Sequence, residues 1–133
     1  MTFVDTNVSL DLVTNDAVWG SWSWEQLRLA SRSGRLLIND VVYAELAARY
    51  DDIENLDEMI EGTGLECAQI PRAALFCAGK AFHRYRQSGG TRTGVLPDFF
   101  IGAHAADLQV PLLTRDSARF RTYFPALELI TPQ

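Results

Sequence analysis

Leu96-Pro97-Asp98-Phe99-Phe100-Ile101-Gly102-Ala103-His104-Ala105-Ala106-Asp107-Leu108-Gln109-Val110-Pro111-Leu112-Leu113-Thr114-Arg115-Asp116 is the stretch that decides the architecture. Pro97 suits the first turn of a helix, where its missing N–H is not needed, and Asp98 beside it complements the positive end of the helix dipole. The apolar-rich run that follows predicts a helix to about Gln109. Pro111-Leu112-Leu113-Thr114 then reads as a short buried strand. Asp116 stands just beyond it. A helix that returns to a buried strand whose far end carries an acid is one unit of an α/β fold.

The same unit recurs on either side. Thr2-Phe3-Val4 is a β-prone run ending at Asp5, and Asn7 can cap a helix over 8–13. A helix over 22–32 is stopped by Gly34, and Leu36-Leu37-Ile38 reads as a buried strand. Asn39 or Asp40 can cap a third helix at 41–50, and an acidic helix over 53–61 closes at Gly62 and Gly64. Leu65 to Ile70 reads as a strand, Pro71 opens a long helix to about residue 87, and 91–96 form a loop before Asp98. Asp116 or Ser117 starts a short helix through Tyr123, and Leu127 to Ile130 is a last strand. Strands alternating with helices over residues 1–133 predict one α/β domain: a three-layer α/β/α sandwich around a parallel sheet of four or five strands. In such sheets the functional crevice lies beyond the carboxyl ends of the strands.

The 133 residues are 47% hydrophobic and 22% charged, a globular balance. No apolar run reaches the roughly 18–20 residues of a membrane span, and Met1-Thr2-Phe3-Val4-Asp5 has neither the basic nor the apolar part of a signal peptide, so a cytoplasmic protein without a membrane partner is expected. Cys67 and Cys77 are then expected as reduced thiols packed like small apolar residues. The net charge of −5 works against bulk attraction to nucleic acid, so any such site must use local basic segments. Those segments are Arg72, Lys80, Arg84, Arg86 and Arg92, and later Arg115, Arg119 and Arg121. Both segments read most simply as solvated helix faces, and the acids crowded between Asp51 and Glu66 match no motif.

Four carboxylates fall where chemistry belongs. Asp5 and Asp116 follow strands and so emerge at one edge of a parallel sheet; Asp98 and Glu45 are near the starts of helices that begin at that edge. Each alone can be explained as a cap, a dipole partner or a surface charge. Together they would repel unless a cation joined them. An all-oxygen donor set suits Mg²⁺, which carboxylates and substrate phosphate commonly share and which can activate water for attack on a phosphodiester. Asp11, Asp40 and Asp107 lack this placement and read as caps or surface charges.

With these residues in view, the chain resembles PIN-domain nucleases. Val4-Asp5-Thr6-Asn7, Val42-Tyr43-Ala44-Glu45-Leu46, the Asp98 block and Leu113-Thr114-Arg115-Asp116 are similar to the family's four acidic motifs, in order and over nearly the whole chain. Val42 stands where many relatives place Thr or Ser. The likeness is closest to VapC-type toxins of type II toxin–antitoxin systems. It implies a Mg²⁺- or Mn²⁺-dependent endoribonuclease acting on tRNA or other structured RNA, a homodimer, and a small cognate antitoxin that blocks the acidic pocket. By position it assigns Asp5, Glu45, Asp98 and Asp116 as catalytic metal ligands, with Thr6, Asn7 and Thr114 as polar support.

Other residues receive narrower readings. Arg92, in the Gly-rich loop before Asp98, can clamp an RNA phosphate, or it is a solvated loop arginine. His104 lies six residues after Asp98, about 240° around a helix, and reads as packed or surface rather than as a general base. Gly102 and Ala105 allow close helix approach. Trp19, Trp22 and Trp24 can stack on bases or pack on a protein partner; Trp22 and Trp24 cannot both face the core of one regular helix, so at least one of them is expected at an interface, with protein favoured over RNA. A phosphoacceptor domain of the receiver kind would need a lysine after a late strand, and the only lysine is Lys80. The reading that competes is a non-catalytic PIN-like module that binds RNA or protein without cutting.

Overall fold

The computed structural model describes residues 1–92 and 94–132. Its order is β1 (Thr2–Val4), α1 (Thr6–Thr14), α2 (Gly20–Ser33), β2 (Leu36–Asn39), α3 (Asp40–Ala47), α4 (Ile53–Thr63), β3 (Leu65–Ala68), α5 (Arg72–Gln87), α6 (Leu96–Leu108), β4 (Leu112–Leu113), α7 (Ala118–Tyr123) and β5 (Leu129–Ile130). The five strands form one sheet in the order β3-β2-β1-β4-β5, and every pairing is parallel. Thr93, within the loop expected at 91–96, and Gln133 lie outside the described residues.

Burial follows the strand order. Phe3, Val4 and Ile38 are fully buried on β1 and β2, whereas the outer strands β3 and β5 are only partly covered. Parallel crossovers are right-handed, so the turn in strand order at β1 sends α1–α4 to one face and α5–α7 to the other. One apolar cluster, including Phe3, Val8, Ile38, Leu46, Ile101, Leu112 and Phe120, fills the space around the sheet. A second, centred on Phe99 with Ala78, Ala81, Val95 and Ala103, joins α5 to α6. Gly102 lets α6 reach Phe124, whose ring a Cβ at that position would meet at 2.6 Å.

Several boundaries differ from the sequence expectation. α1 starts two residues early because Asp5, not Asn7, occupies its N-cap, with Oδ1 accepting from the Thr6 N–H at 2.7 Å. α2 starts at Gly20, since Asp16 Oδ1 accepts from the Val18 and Trp19 N–H groups and turns the chain into the helix. α3 ends at Ala47 rather than 50, and β3 at Ala68 rather than Ile70. α4 runs on through Gly62 to Thr63 and ends at Gly64, whose φ of 77° supplies the left-handed cap. Both thiols are free and exposed, correcting the expectation that they pack inside: Cys67 is on an outer strand and Cys77 on the outer face of α5. Trp22 packs against the core while Trp24 is 49% exposed. Among the described residues no helix is long and apolar enough to cross a membrane.

Candidate functional site

The strand connections leave β1 in one direction and β4 in the other, so a crevice opens beyond their carboxyl ends. Asp5, Thr6, Asn7, Leu10, Glu45, Asp98, Asp116 and Phe120 line a cleft there of about 190 Å³. All four carboxylates singled out by the sequence reach it, from the end of β1, from α3, from the first turn of α6 and from the segment after β4. They differ in depth. Asp5 is the floor, 4% exposed; Asp98 is part-buried; Glu45 and Asp116 are on the open side.

The supporting polar residues hold specific atoms. The Thr114 hydroxyl donates to Asp5 Oδ2 at 2.7 Å, with the Asp116 carbonyl a longer alternative at 3.2 Å, and accepts from the Asp116 N–H at 3.1 Å. It thus ties the end of β4 to the end of β1. Asn7 spans the same gap: its Nδ2 donates to Thr114 Oγ1 at 3.4 Å, and its Oδ1 accepts from the Arg115 N–H at 3.3 Å. Thr6 Oγ1 donates to Glu45 Oε1 at 2.6 Å. Asp116 does not cap α7; Ser117 precedes that helix without a side-chain cap, so the Asp116 carboxylate is left to the cleft.

Electrostatics mark the floor. Burial pushes the Asp5 carboxyl up to about 7, and the negative charges of Asp98 and Glu45 push the same way, against the Thr114 and Thr6 hydrogen bonds that favour ionisation. Asp98 is also raised, by burial first and then by Glu45 and Asp116, although Arg119 Nη1 donates to its Oδ2 and opposes the rise. The cleft is short of positive charge. Its donors are all oxygen, which fits a hard divalent cation and not zinc or copper. The ligands are not gathered, however: among the described residues no three His, Cys, Asp or Glu side chains are grouped closely enough to hold an ion. Asp98 is engaged by Arg119 and Glu45 by Thr6.

Arg92 is not among the residues that line the cleft. Its side chain is exposed, and its N–H donates to the Tyr85 hydroxyl at 3.2 Å. His104 is packed, 1% exposed, with its ring 5.0 Å from that of Phe3 and its Nδ1 3.2 Å from Asn39 Nδ2; burial lowers its pKa.

Sequence reasoning missed two residues that hold the cleft's elements in place. Arg119 was grouped with surface cations, and Asp11 was read as a cap or surface charge. Asp11 is buried, 2% exposed; its Oδ1 and Oδ2 accept from Arg115 Nη2 and Nε at 3.0 and 2.7 Å, and Oδ2 also accepts from the Ser23 hydroxyl at 2.7 Å. The Arg115 guanidinium lies 5.3 Å from the Trp19 ring centroid. Asp11 therefore fastens the segment that carries Asp116 to α1 and α2. Asp11→Asn leaves Arg115 with a poorer partner and is expected to destabilise the fold by about 1–3 kcal/mol, tempered by the partial exposure of Arg115. Denaturant melts beside wild type measure this, and an unchanged midpoint would make the clasp ornamental.

The PIN domain family model matches residues 2–124. Among solved structures, VapBC2 from Rickettsia felis bound to a DNA fragment from its promoter is similar, with a TM-score of 0.75 and 19% identity over 99% of this chain and 98% of that one. DNA-bound VapBC from Salmonella typhimurium is similar with a TM-score of 0.71 and 19% identity, over 98% of this chain and 96% of that one. VapBC-1 from nontypeable Haemophilus influenzae has a TM-score of 0.70 and 20% identity, with the same coverage. At such identities the likeness is one of fold. No curated protein matches the sequence.

Proposed function

The chain belongs to the PIN domain family, and we propose from that premise that it is a metal-dependent endoribonuclease, the toxin of a type II toxin–antitoxin pair. The observation that carries the reading is the meeting of Asp5, Glu45, Asp98 and Asp116 in one cleft at the reversal of strand order. Four acids converging there, one of them buried and pushed up to about 7, make a poor structural feature and a good cation site. Asp5 and Asp98 would hold the principal ion, Mg²⁺ or Mn²⁺, with Glu45 and Asp116 completing its surroundings or holding a second. When bound, such an ion supplies Lewis-acid chemistry, activating water and neutralising charge on the scissile phosphate.

The chain's own groups do the positioning. Thr114 fixes one oxygen of Asp5 and the Thr6 N–H fixes the other, so the floor carboxylate has little rotational freedom. The Thr6 hydroxyl orients Glu45 towards the cleft. Asn7 keeps the ends of β1 and β4 in register through Thr114 and the Arg115 N–H. The open side, formed by Glu45 and Asp116, admits a phosphodiester. RNA is the proposed substrate, with tRNA or another structured RNA within its range. Because the overall charge is −5, affinity for it must come from local cations rather than from the whole surface. A cognate antitoxin covering the cleft and a homodimeric assembly complete the proposal; the fold shared with VapBC complexes supports the partner.

The engagement of Asp98 by Arg119 favours one second reading, a PIN-like module that binds RNA or protein without cutting. Two measurements separate them. Titration calorimetry with Mn²⁺ should give saturable binding to wild type and weakened binding to Asp98→Asn. Digested RNA should carry simple phosphate and hydroxyl ends, because external water is the nucleophile. Cyclic 2′,3′-phosphate ends would instead indicate attack by the ribose 2′-hydroxyl, and no metal binding together with no cutting would leave the binding module.

A further inference from the structure

Arg119 sits on α7 three residues after Asp116, and its Nη1 donates to Asp98 Oδ2 across the mouth of the cleft. The neighbouring Phe120 is 2% exposed and lines the cleft, so the backbone of α7 is pinned while the Arg119 side chain, 19% exposed, retains a path to solvent. A guanidinium on a carboxylate is a strong, charge-assisted contact, and it uses the lone pairs that a hard cation would need. Arg121, one turn-face away on the same helix, is exposed and carries the same charge.

We propose that Arg119 is a built-in competitor for the cation site: it occupies Asp98 while no divalent ion is present, and the ion must displace it to bind. The proposal rests on the reading of the cleft as a cation site. It gives the displaced guanidinium a destination, because a freed arginine at the cleft mouth faces the place where an RNA phosphate would approach. Arg119 is thus a positioning residue for the ligand set, and a substrate contact only once it is released.

The test is Mn²⁺ titration calorimetry without RNA on wild type, Arg119→Ala, Arg119→Gln and Arg121→Ala, with thermal melts to verify folding. Arg119→Gln keeps most of the methylene stem and replaces the cationic guanidinium with a shorter, neutral amide. Both Arg119 variants are expected to bind Mn²⁺ about tenfold or more tightly than wild type, while Arg121→Ala, which removes an equal charge from the same helix, changes affinity by no more than about twofold. In RNA cleavage at saturating Mn²⁺ the Arg119 variants are expected to show a raised KM. Equal or weaker metal binding by both Arg119 variants would overturn the proposal, because Arg119 would then be orienting Asp98 as a ligand rather than competing for it. Equal tightening by Arg121→Ala would also overturn it, reducing the effect to bulk charge. Absence of Mn²⁺ binding by wild type and all variants would instead defeat the cation-site reading itself.

Discussion

Asp5→Asn is expected to lower RNA cleavage by more than about 100-fold and, in the same protein, to raise stability at pH 8. The two effects share one cause. Asp5 is the floor of the cleft, and its carboxyl is pushed from 3.8 up to about 7, chiefly by burial. An acid whose folded value is raised binds more protons folded than unfolded between those two values. Its contribution to stability is therefore fully present below about pH 4 and is lost as pH rises towards 7. Above that, the ionised floor costs metal-free protein on the order of 4 kcal/mol. Asparagine removes the charge and keeps the shape. Its Oδ1 can accept from the Thr6 N–H, and its Nδ2 can face Thr114 Oγ1, whose proton then turns to the Asp116 carbonyl 3.2 Å away. Melting temperatures in EDTA across pH 5–8 measure the effect. Wild type should lose stability over that range, and Asp5→Asn should lose less. A variant that is inactive and also less stable at pH 8 would mean that Asp5 holds the fold together rather than straining it.

The second large effect lies in the core behind the cleft. Phe99→Ala is expected to cost about 3–5 kcal/mol, a large part of the stability of a domain this size. Phe99 is 0% exposed and touches four other rings: its centroid is 5.3 Å from Tyr123, 5.6 Å from Phe82, 5.7 Å from Tyr85 and 6.3 Å from Phe124. These four come from α5, α7 and the residue following α7, so truncating Phe99 on α6 loosens three helices at once. It also removes the packing next to Asp98, whose helix turn it anchors. Phe76→Ala, at a residue 67% exposed, is the internal comparison and should change stability by no more than about 0.5 kcal/mol. Similar denaturation midpoints for the two variants would contradict the account of the second core cluster.

The contrast between these residues shows where sequence was informative. The strands were legible because central parallel strands are buried on both faces and appear as unbroken apolar runs, as in Leu36-Leu37-Ile38. The acids were legible because strand ends and helix starts share one edge, so position along the chain implies position in space. Asp11 was not legible: its partner Arg115 is 104 residues away, and an aspartate on a nine-residue helix looks the same whether it faces water or a buried guanidinium. Arg119 was hidden for the same reason, being 21 residues from Asp98 and grouped with exposed cations. The exposed thiols were misjudged because composition gives the usual burial of cysteine, whereas the outer position of β3 and the outward face of α5 are set by the strand order and by helix docking.

The most direct test of the central claim is incubation of total bacterial RNA with the purified, antitoxin-free protein, in Mg²⁺ or in EDTA, beside Asp98→Asn shown by melting to be folded. Discrete fragments with wild type in Mg²⁺, and intact RNA in both other lanes, are the predicted result. Equal cutting by Asp98→Asn, or cutting that persists in EDTA, would contradict the claim that the acidic cleft holds a metal and performs the hydrolysis.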